Sequence, residues 1–225
     1  MSLVRRFATV LFALAALAAC TTGPKVPPSV ALIQDAQTAL QRIKAAPDSK
    51  DFTDLLPRAA GIAIFPAVYK AGFFVGAEGG NGLVIGRDAA GNWGYPAFYV
   101  LGGGSFGLQI GAQQSAVILV IRSRKALEAV IKHQGKLGPD AGVAVGWVGA
   151  GLQGAVTSNL GFDIVGFSTS RGLYGGVSLE GSALVRRNDY NAELYGTGAT
   201  PEAIILENKY KTDKADGLRA ALAAK

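Results

Sequence analysis

Apolar residues recur at helical spacing from Ser29 to Ala46. Ile33, Ala36, Leu40 and Ile43 share one stripe, and Gln34, Asp35, Gln41, Arg42 and Lys44 supply the wet side. Ser29 stands where an N-cap is needed, and Pro47 where a helix must stop. The pattern predicts a helix that packs one face on a core. A further helical turn is expected from Phe52 to Leu56, ended by Pro57. From Gly61 the period becomes that of strands. Ile62, Ile64, Phe73, Val75, Leu83 and Ile85 belong to short β-rich runs divided by glycine-rich turns. Asp88-Ala89-Ala90-Gly91-Asn92 reads as a hairpin loop. Trp93–Leu101 and Phe106–Ile121 read as further strands, the last ending in the continuous apolar run Ala116–Ile121. Ser123 caps a predicted short helix to about His133, with Leu127, Val130 and Ile131 on one face. Gly142–Ala155 and Phe162–Ser168 return to strand. Thr200-Pro201-Glu202 starts a helix with proline at its first position. A last helical stretch is expected over Asp213–Ala224.

Composition adds one strong signal. The chain has 31 glycines in 225 residues, set among Val, Ile, Phe and Tyr without a three-residue period. Glycine inside strand-like runs marks bends, bulges or close backbone packing. A curved sheet needs such points, and so does a barrel.

The first residues form a separate unit. Arg5 and Arg6 precede an apolar run from Phe7 to Ala19, which is followed by Cys20, the only cysteine. This is the pattern of a secretory signal, and the run is too short to span a bilayer. Leu17-Ala18-Ala19-Cys20 resembles a bacterial lipobox, which implies that Cys20 is acylated and becomes the first mature residue. The chain then divides into a signal peptide (1–19), a lipidated cysteine with a Pro-rich tether (20–29) and a single domain (30–225). With Cys20 modified no thiol remains, so disulfides and cysteine metal sites are excluded. Thr21 follows the cysteine where aspartate would favour inner-membrane retention. The expected location is therefore the outer membrane, facing the periplasm.

Charge is local. Between Arg122 and Lys136 stand Arg122, Arg124, Lys125, Lys132 and Lys136 against Glu128 alone. On a membrane-tethered protein such a patch suits anionic lipid headgroups, at about 1 kcal/mol per basic residue near the surface; an ordinary solvated helix face has the same composition. Nucleic acid is not expected as a partner of an exported lipoprotein. Catalytic motifs are poor. Gly103-Gly104-Ser105-Phe106-Gly107 fits G-x-S-x-G, but strand-like sequence follows it and no aspartate separates it from His133, the only histidine. Gly102/Gly104/Gly107 and Gly149/Gly151/Gly154 fit G-x-G-x-x-G without clearly opening a long helix. His133 has no second histidine with which to hold a metal. Glu78, Asp163 and Glu180 are isolated carboxylates.

Several strings, taken in order, resemble the SYLF lipid-binding domain family, whose bacterial members include many signal-bearing lipoproteins. They are Ala60-Gly61-Ile62-Ala63-Ile64-Phe65-Pro66, Lys70-Ala71-Gly72-Phe73-Phe74-Val75-Gly76, Trp93-Gly94-Tyr95-Pro96-Ala97-Phe98 and Gly102-Gly103-Gly104-Ser105-Phe106-Gly107-Leu108-Gln109-Ile110-Gly111. Val143-Ala144-Val145-Gly146, Ser170-Arg171-Gly172-Leu173-Tyr174 and Val177-Ser178-Leu179-Glu180-Gly181-Ser182 complete the set. The resemblance implies an α+β domain with a curved, mainly antiparallel, glycine-rich sheet and packed N-terminal, middle and C-terminal helices. It also implies phospholipid binding, with phosphoinositides and, in some members, actin as eukaryotic partners. Eukaryotic members engage membranes with a helix at the domain's start, which matches Val30–Ala46 here, although only Arg42 and Lys44 are basic in it. No catalytic set, metal or cofactor is implied.

The sequence thus points to a non-enzymatic lipoprotein whose domain binds anionic phospholipid. Arg122, Arg124, Lys125 and Lys132 are the candidate contacts, with Lys70 and Arg171 behind them. An envelope protein is the alternative partner, and actin is not expected as one. A hydrolase using Ser105 or a carboxylate pair is a third, weaker reading. A Cys20→Ser protein is expected to lose acyl-lipid labelling and to leave the membrane fraction. Metabolic labelling with a tagged fatty acid, followed by fractionation, checks this, and labelling that persists sinks the anchor.

Overall fold

The computed structural model describes residues 26–132, 145–148, 162–168 and 182–224. Cys20, His133, Lys136, Arg171 and Glu180 lie outside them. Helix α1 (Pro28–Lys44) starts at Pro28 rather than being capped by Ser29. Proline suits the first helical position because it has no N–H to leave unpaired. Ser29 is fully buried, and its backbone N–H donates to Glu193 Oε2 at 2.8 Å, so a distant carboxylate supplies the cap. The expected stripe of Ile33, Ala36, Leu40 and Ile43 is buried, with Leu32 and Ala39 beside it. The apolar stripe of the helix that the resemblance relates to membrane contact therefore packs on the domain's own core. Helix α2 (Lys50–Leu55) and a 3-10 turn (Leu56–Arg58) lead into the sheet.

Strand β1 (Gly61–Gly86) departs from the sequence reading. The expected short runs divided by turns are one continuous strand of 26 residues. Laid straight it would reach about 85 Å. Instead it doubles back. The Arg87 N–H donates to the Ala60 carbonyl at 2.8 Å, which sets the strand's two ends side by side. A Cβ on Gly80 would stand 2.2 Å from the Ala67 carbonyl oxygen, and one on Gly82 2.5 Å from that of Ile64. Only glycine permits that approach. The Phe65 ring covers Gly82, where a side chain would otherwise sit. Strand β2 (Ala97–Ile121) follows the bend outside β1, antiparallel from Val84↔Ala97 to Gly61↔Ile121. The register slips between Phe65 and Val68 and between Gly72 and Phe74, where bulges bend the ribbon.

Helix α3 (Arg124–Lys132) comes next, capped by Ser123 as expected through a 3.1 Å bond from the Ala126 N–H. Strands β3 (Val145–Val148), β4 (Ile164–Ser168) and β5 (Ala183–Arg186) complete the described sheet. β4 pairs antiparallel with Val117–Ile121 of β2, β5 pairs antiparallel with Tyr99–Gly102, and β3 runs parallel to β4. The fold is α+β with a mainly antiparallel sheet, as expected. Among the described residues the sheet does not close into a barrel, since no strand pairs β3 with β1 or β5. Helix α4 (Asn188–Tyr195), a π-helical turn (Glu202–Leu206), a 3-10 turn (Asp213–Ala215) and helix α5 (Asp216–Ala223) end the chain.

The sheet is covered on both faces. Ile62, Ile64, Leu83, Ile85, Phe98, Ile118 and Val120 pack with α1, α2 and α5. Ala63, Phe65, Val84, Tyr99, Val117, Leu119 and Ile121 pack with α3 and the π-helical turn. This explains the unbroken apolar run Ala116–Ile121, because alternate residues enter opposite cores. Gly80→Ala is expected to cost about 1–3 kcal/mol, since backbone blocks the new methyl. Gly104→Ala, with nothing within 4 Å of its Cβ, is expected to stay within about 0.5 kcal/mol of wild type. Urea unfolding of the two variants checks the contrast, and equal stabilities would refute it.

Candidate binding surface

Helix α3 rests on the place where the ends of β1 meet. A Cβ on Gly61 would lie 2.8 Å from Leu127 Cδ1, and one on Gly86 2.9 Å from Leu127 Cδ2. Ala126, Leu127, Val130 and Ile131 are buried there, which turns Arg124, Lys125, Glu128 and Lys132 outward. Arg124 Nε donates to Glu128 Oε1 at 3.3 Å, and Lys132 Nζ donates to Glu128 Oε2 at 3.4 Å. Hydrogen bonds from Arg124 and then Lys132 hold the Glu128 carboxyl below its usual range, so it is charged at neutral pH. Lys125 is exposed, with no hydrogen-bond or ion-pair partner among the described residues. The outer face therefore carries three cations around one carboxylate.

The other candidates are placed differently. Arg122 points to the entry of β4: its Nη1 donates to the Phe162 carbonyl at 2.9 Å, and its N–H to that of Asp163 at 2.9 Å. Arg124 Nη1 also donates to the Arg87 carbonyl at 3.2 Å. Lys70 lies away from α3, at the bend of β1. Its Nζ is 4.0 Å from Glu78 Oε2, whose side chain is 2% exposed. Ser182 Oγ donates to Glu78 Oε1 at 3.1 Å. Glu78 is the register partner of Gly103, and a Cβ on Gly103 would stand 2.4 Å from Ser182 Oγ. The missing side chain on β2 lets Glu78 reach across to Ser182, beside β5. Arg171 and the lipidation candidate Cys20 fall outside the described residues. So the structure gathers Arg124, Lys125 and Lys132, sets Arg122 at one end and separates Lys70.

Two motifs lose their catalytic reading. Ser105 lies within β2, paired through Gly76, so Gly103–Gly107 forms no strand–turn–helix elbow. Gly102/Gly104/Gly107 stands in the same strand and opens no helix. The sequence reading missed what Glu128 does on α3, although its spacing of four from both Arg124 and Lys132 was a usable signal. It also missed the Glu78–Ser182 bond, 104 residues apart, for which no local signal exists.

The profile of a family described as "Ysc84: Las17-binding protein actin regulator" matches residues 102–225. The chain belongs to this family. It is the SYLF family of the sequence resemblance. A human relative, SH3 domain-containing YSC84-like protein 1, is 37% identical over 150 residues, 66% of this chain and 44% of that protein. The Xenopus laevis protein of the same name is 36% identical over 143 residues, 63% of this chain and 42% of that protein. LAS seventeen-binding protein 3 of Saccharomyces cerevisiae (strain ATCC 204508 / S288c) is 29% identical over 155 residues, 68% of this chain and 34% of that protein. The match thus spans less than half of each relative. The family is described by binding and regulation. One expectation falls here: actin was not expected as a partner, yet the family is described as an actin regulator and the yeast relative is named for binding LAS seventeen.

Ser182→Ala removes a donor from a buried carboxylate and is expected to destabilise by about 1–3 kcal/mol. Lys125→Ala, on the open face of α3, is expected to change stability by under about 0.5 kcal/mol. Denaturant unfolding distinguishes the two, and an unaffected Ser182→Ala protein would show that Glu78 does not depend on that bond.

Proposed function

We propose that this protein is a non-catalytic binding module, held at a membrane by acylated Cys20, whose α3 face docks on anionic phospholipid. The observation that carries the reading is the outward row of Arg124, Lys125 and Lys132 on a helix whose other side is buried. Acyl chains and basic contacts then act as two weak signals that together hold the domain on a bilayer. The lipobox-like string supports an extracytoplasmic site, and Thr21 an outer-membrane one. The α1 stripe takes no part in this reading, since it is buried in the core.

A protein partner is the second reading. The family description and the name of the yeast relative favour it. An acidic surface on an actin-related or other regulatory protein would meet the same cations.

The test uses the mature chain from residue 20 with Cys20→Ser, so that neither acylation nor the signal contributes, and measures partition onto vesicles with and without phosphatidylglycerol in phosphatidylcholine. Binding to anionic vesicles is expected to weaken as salt rises, because exposed charges are screened within about 8–10 Å near physiological ionic strength. Lys125→Glu with Lys132→Glu is expected to weaken it by at least about 2 kcal/mol. Unchanged vesicle binding by the folded double variant would refute the lipid face and leave the protein-partner reading.

A further inference from the structure

Glu128 is the one acidic residue on the outward face of α3, and it sits between the cations. Arg124 is four residues before it and Lys132 four after, so all three line a single stripe of the helix. Both carboxylate oxygens are engaged, Oε1 by Arg124 and Oε2 by Lys132. The side chains of Arg124, Glu128 and Lys132 are 47%, 39% and 56% exposed, so the paired side chains are open to an incoming surface. A carboxylate placed at the edge of a basic patch would leave most of it open. Here it divides the patch.

We infer that Glu128 is a built-in competitor on the docking face, which makes the domain select dense anionic surfaces over sparse ones. This rests on the lipid-face reading above. A partner anion competes with Glu128 for Arg124 and Lys132 and bears repulsion from its carboxylate. One isolated headgroup replaces one ion pair with another and still meets that repulsion. Several headgroups close together can engage Arg124, Lys125 and Lys132 at once, and the combined attraction exceeds what Glu128 withholds. Exposed pairs at this spacing are weak, so the competitor sets a threshold and does not block binding.

The test is Glu128→Gln, which keeps the shape of the side chain and removes its charge, in the mature chain from residue 20 with Cys20→Ser. Binding is measured on vesicles with a graded fraction of phosphatidylglycerol in phosphatidylcholine. The variant is expected to bind about fivefold tighter at a given anionic fraction, the change that one elementary charge makes near such a surface. Its half-binding point is expected to move to a lower anionic fraction, with binding to pure phosphatidylcholine unchanged. Its thermal midpoint is expected to stay near that of wild type, which a purely structural role for Glu128 would not predict together with tighter binding. If Glu128→Gln leaves anionic-vesicle binding unchanged or weaker while Lys125→Glu with Lys132→Glu still lowers it, the competitor is refuted and the lipid face stands. If neither variant alters binding, the lipid face itself fails and the competitor with it.

Discussion

The close approach of the two halves of β1 is the constraint on which the rest depends. It is set at Gly80 and Gly82, where backbone meets backbone with no room for a side chain. Because β1 folds back, β2 can travel round it and present both its ends for pairing, one to β4 and the other to β5. Because the ends of β1 meet, Gly61 and Gly86 form a shallow seat for Leu127. That seat fixes which side of α3 is buried, and so which side carries the cations. The chemistry of the outer face is therefore a consequence of glycine placement in the sheet.

Many basic side chains in this protein act as fasteners. Arg87 Nε donates to the Ala59 carbonyl at 3.0 Å and its Nη2 to that of Leu56 at 3.3 Å, while its guanidinium stacks 4.1 Å from the Trp93 ring. Arg219 Nε holds the Trp93 carbonyl at 3.0 Å, and Lys44 Nζ caps the end of α5 through Ala221 and Ala224. Arg186 ties Ile131, in the last turn of α3, to Glu202 in the π-helical turn. At Ala221, Ala224 and Ile131 the cation satisfies carbonyls at a helix end, which helices leave unpaired. A count of basic residues therefore overstates the charge offered to a partner. Arg122 illustrates it, since part of its guanidinium is committed to Phe162.

Local signals were legible in the sequence, and long-range ones were not. The α1 stripe, the Ser123 cap and the Asp88–Asn92 turn each depend on residues a few positions apart. Gly91 takes φ 84° in that turn, as only glycine does readily. The excess of glycine correctly announced bending. It also misled, because glycines within β1 interrupt the alternation that marks a strand, and one doubled strand reads as several short ones. Helix α4 escaped notice because only Asn191 is buried in it, through a 2.9 Å bond that its Oδ1 accepts from the Phe98 N–H. A buried polar residue leaves no apolar stripe to read. On the candidate face, clustering of the cations was visible in sequence, whereas the commitment of Arg122 and the isolation of Lys70 depend on partners from other elements.

The nesting of β1 in β2 also decides where the chain can be cut. The profile match begins at residue 102, inside β2 and downstream of β1. Yet β1 provides β2's partner along nearly its whole length, from Ala97 to Ile121. A chain cut at that boundary would keep β4 and β5 but expose the backbone edge of β2 that β1 covers. It would also lose the glycine seat beneath α3. The smallest autonomous piece must therefore start before Gly61, and with α1 packed across the sheet it must start before Pro28. Within it, pairing is ordered by sequence distance. Val84 and Ala97 meet across one short loop, whereas Gly61 and Ile121 meet only after everything between them has been threaded round the bend. Loop-closure entropy favours pairing from the loop outward, which leaves the seat for α3 to contacts of long sequence separation.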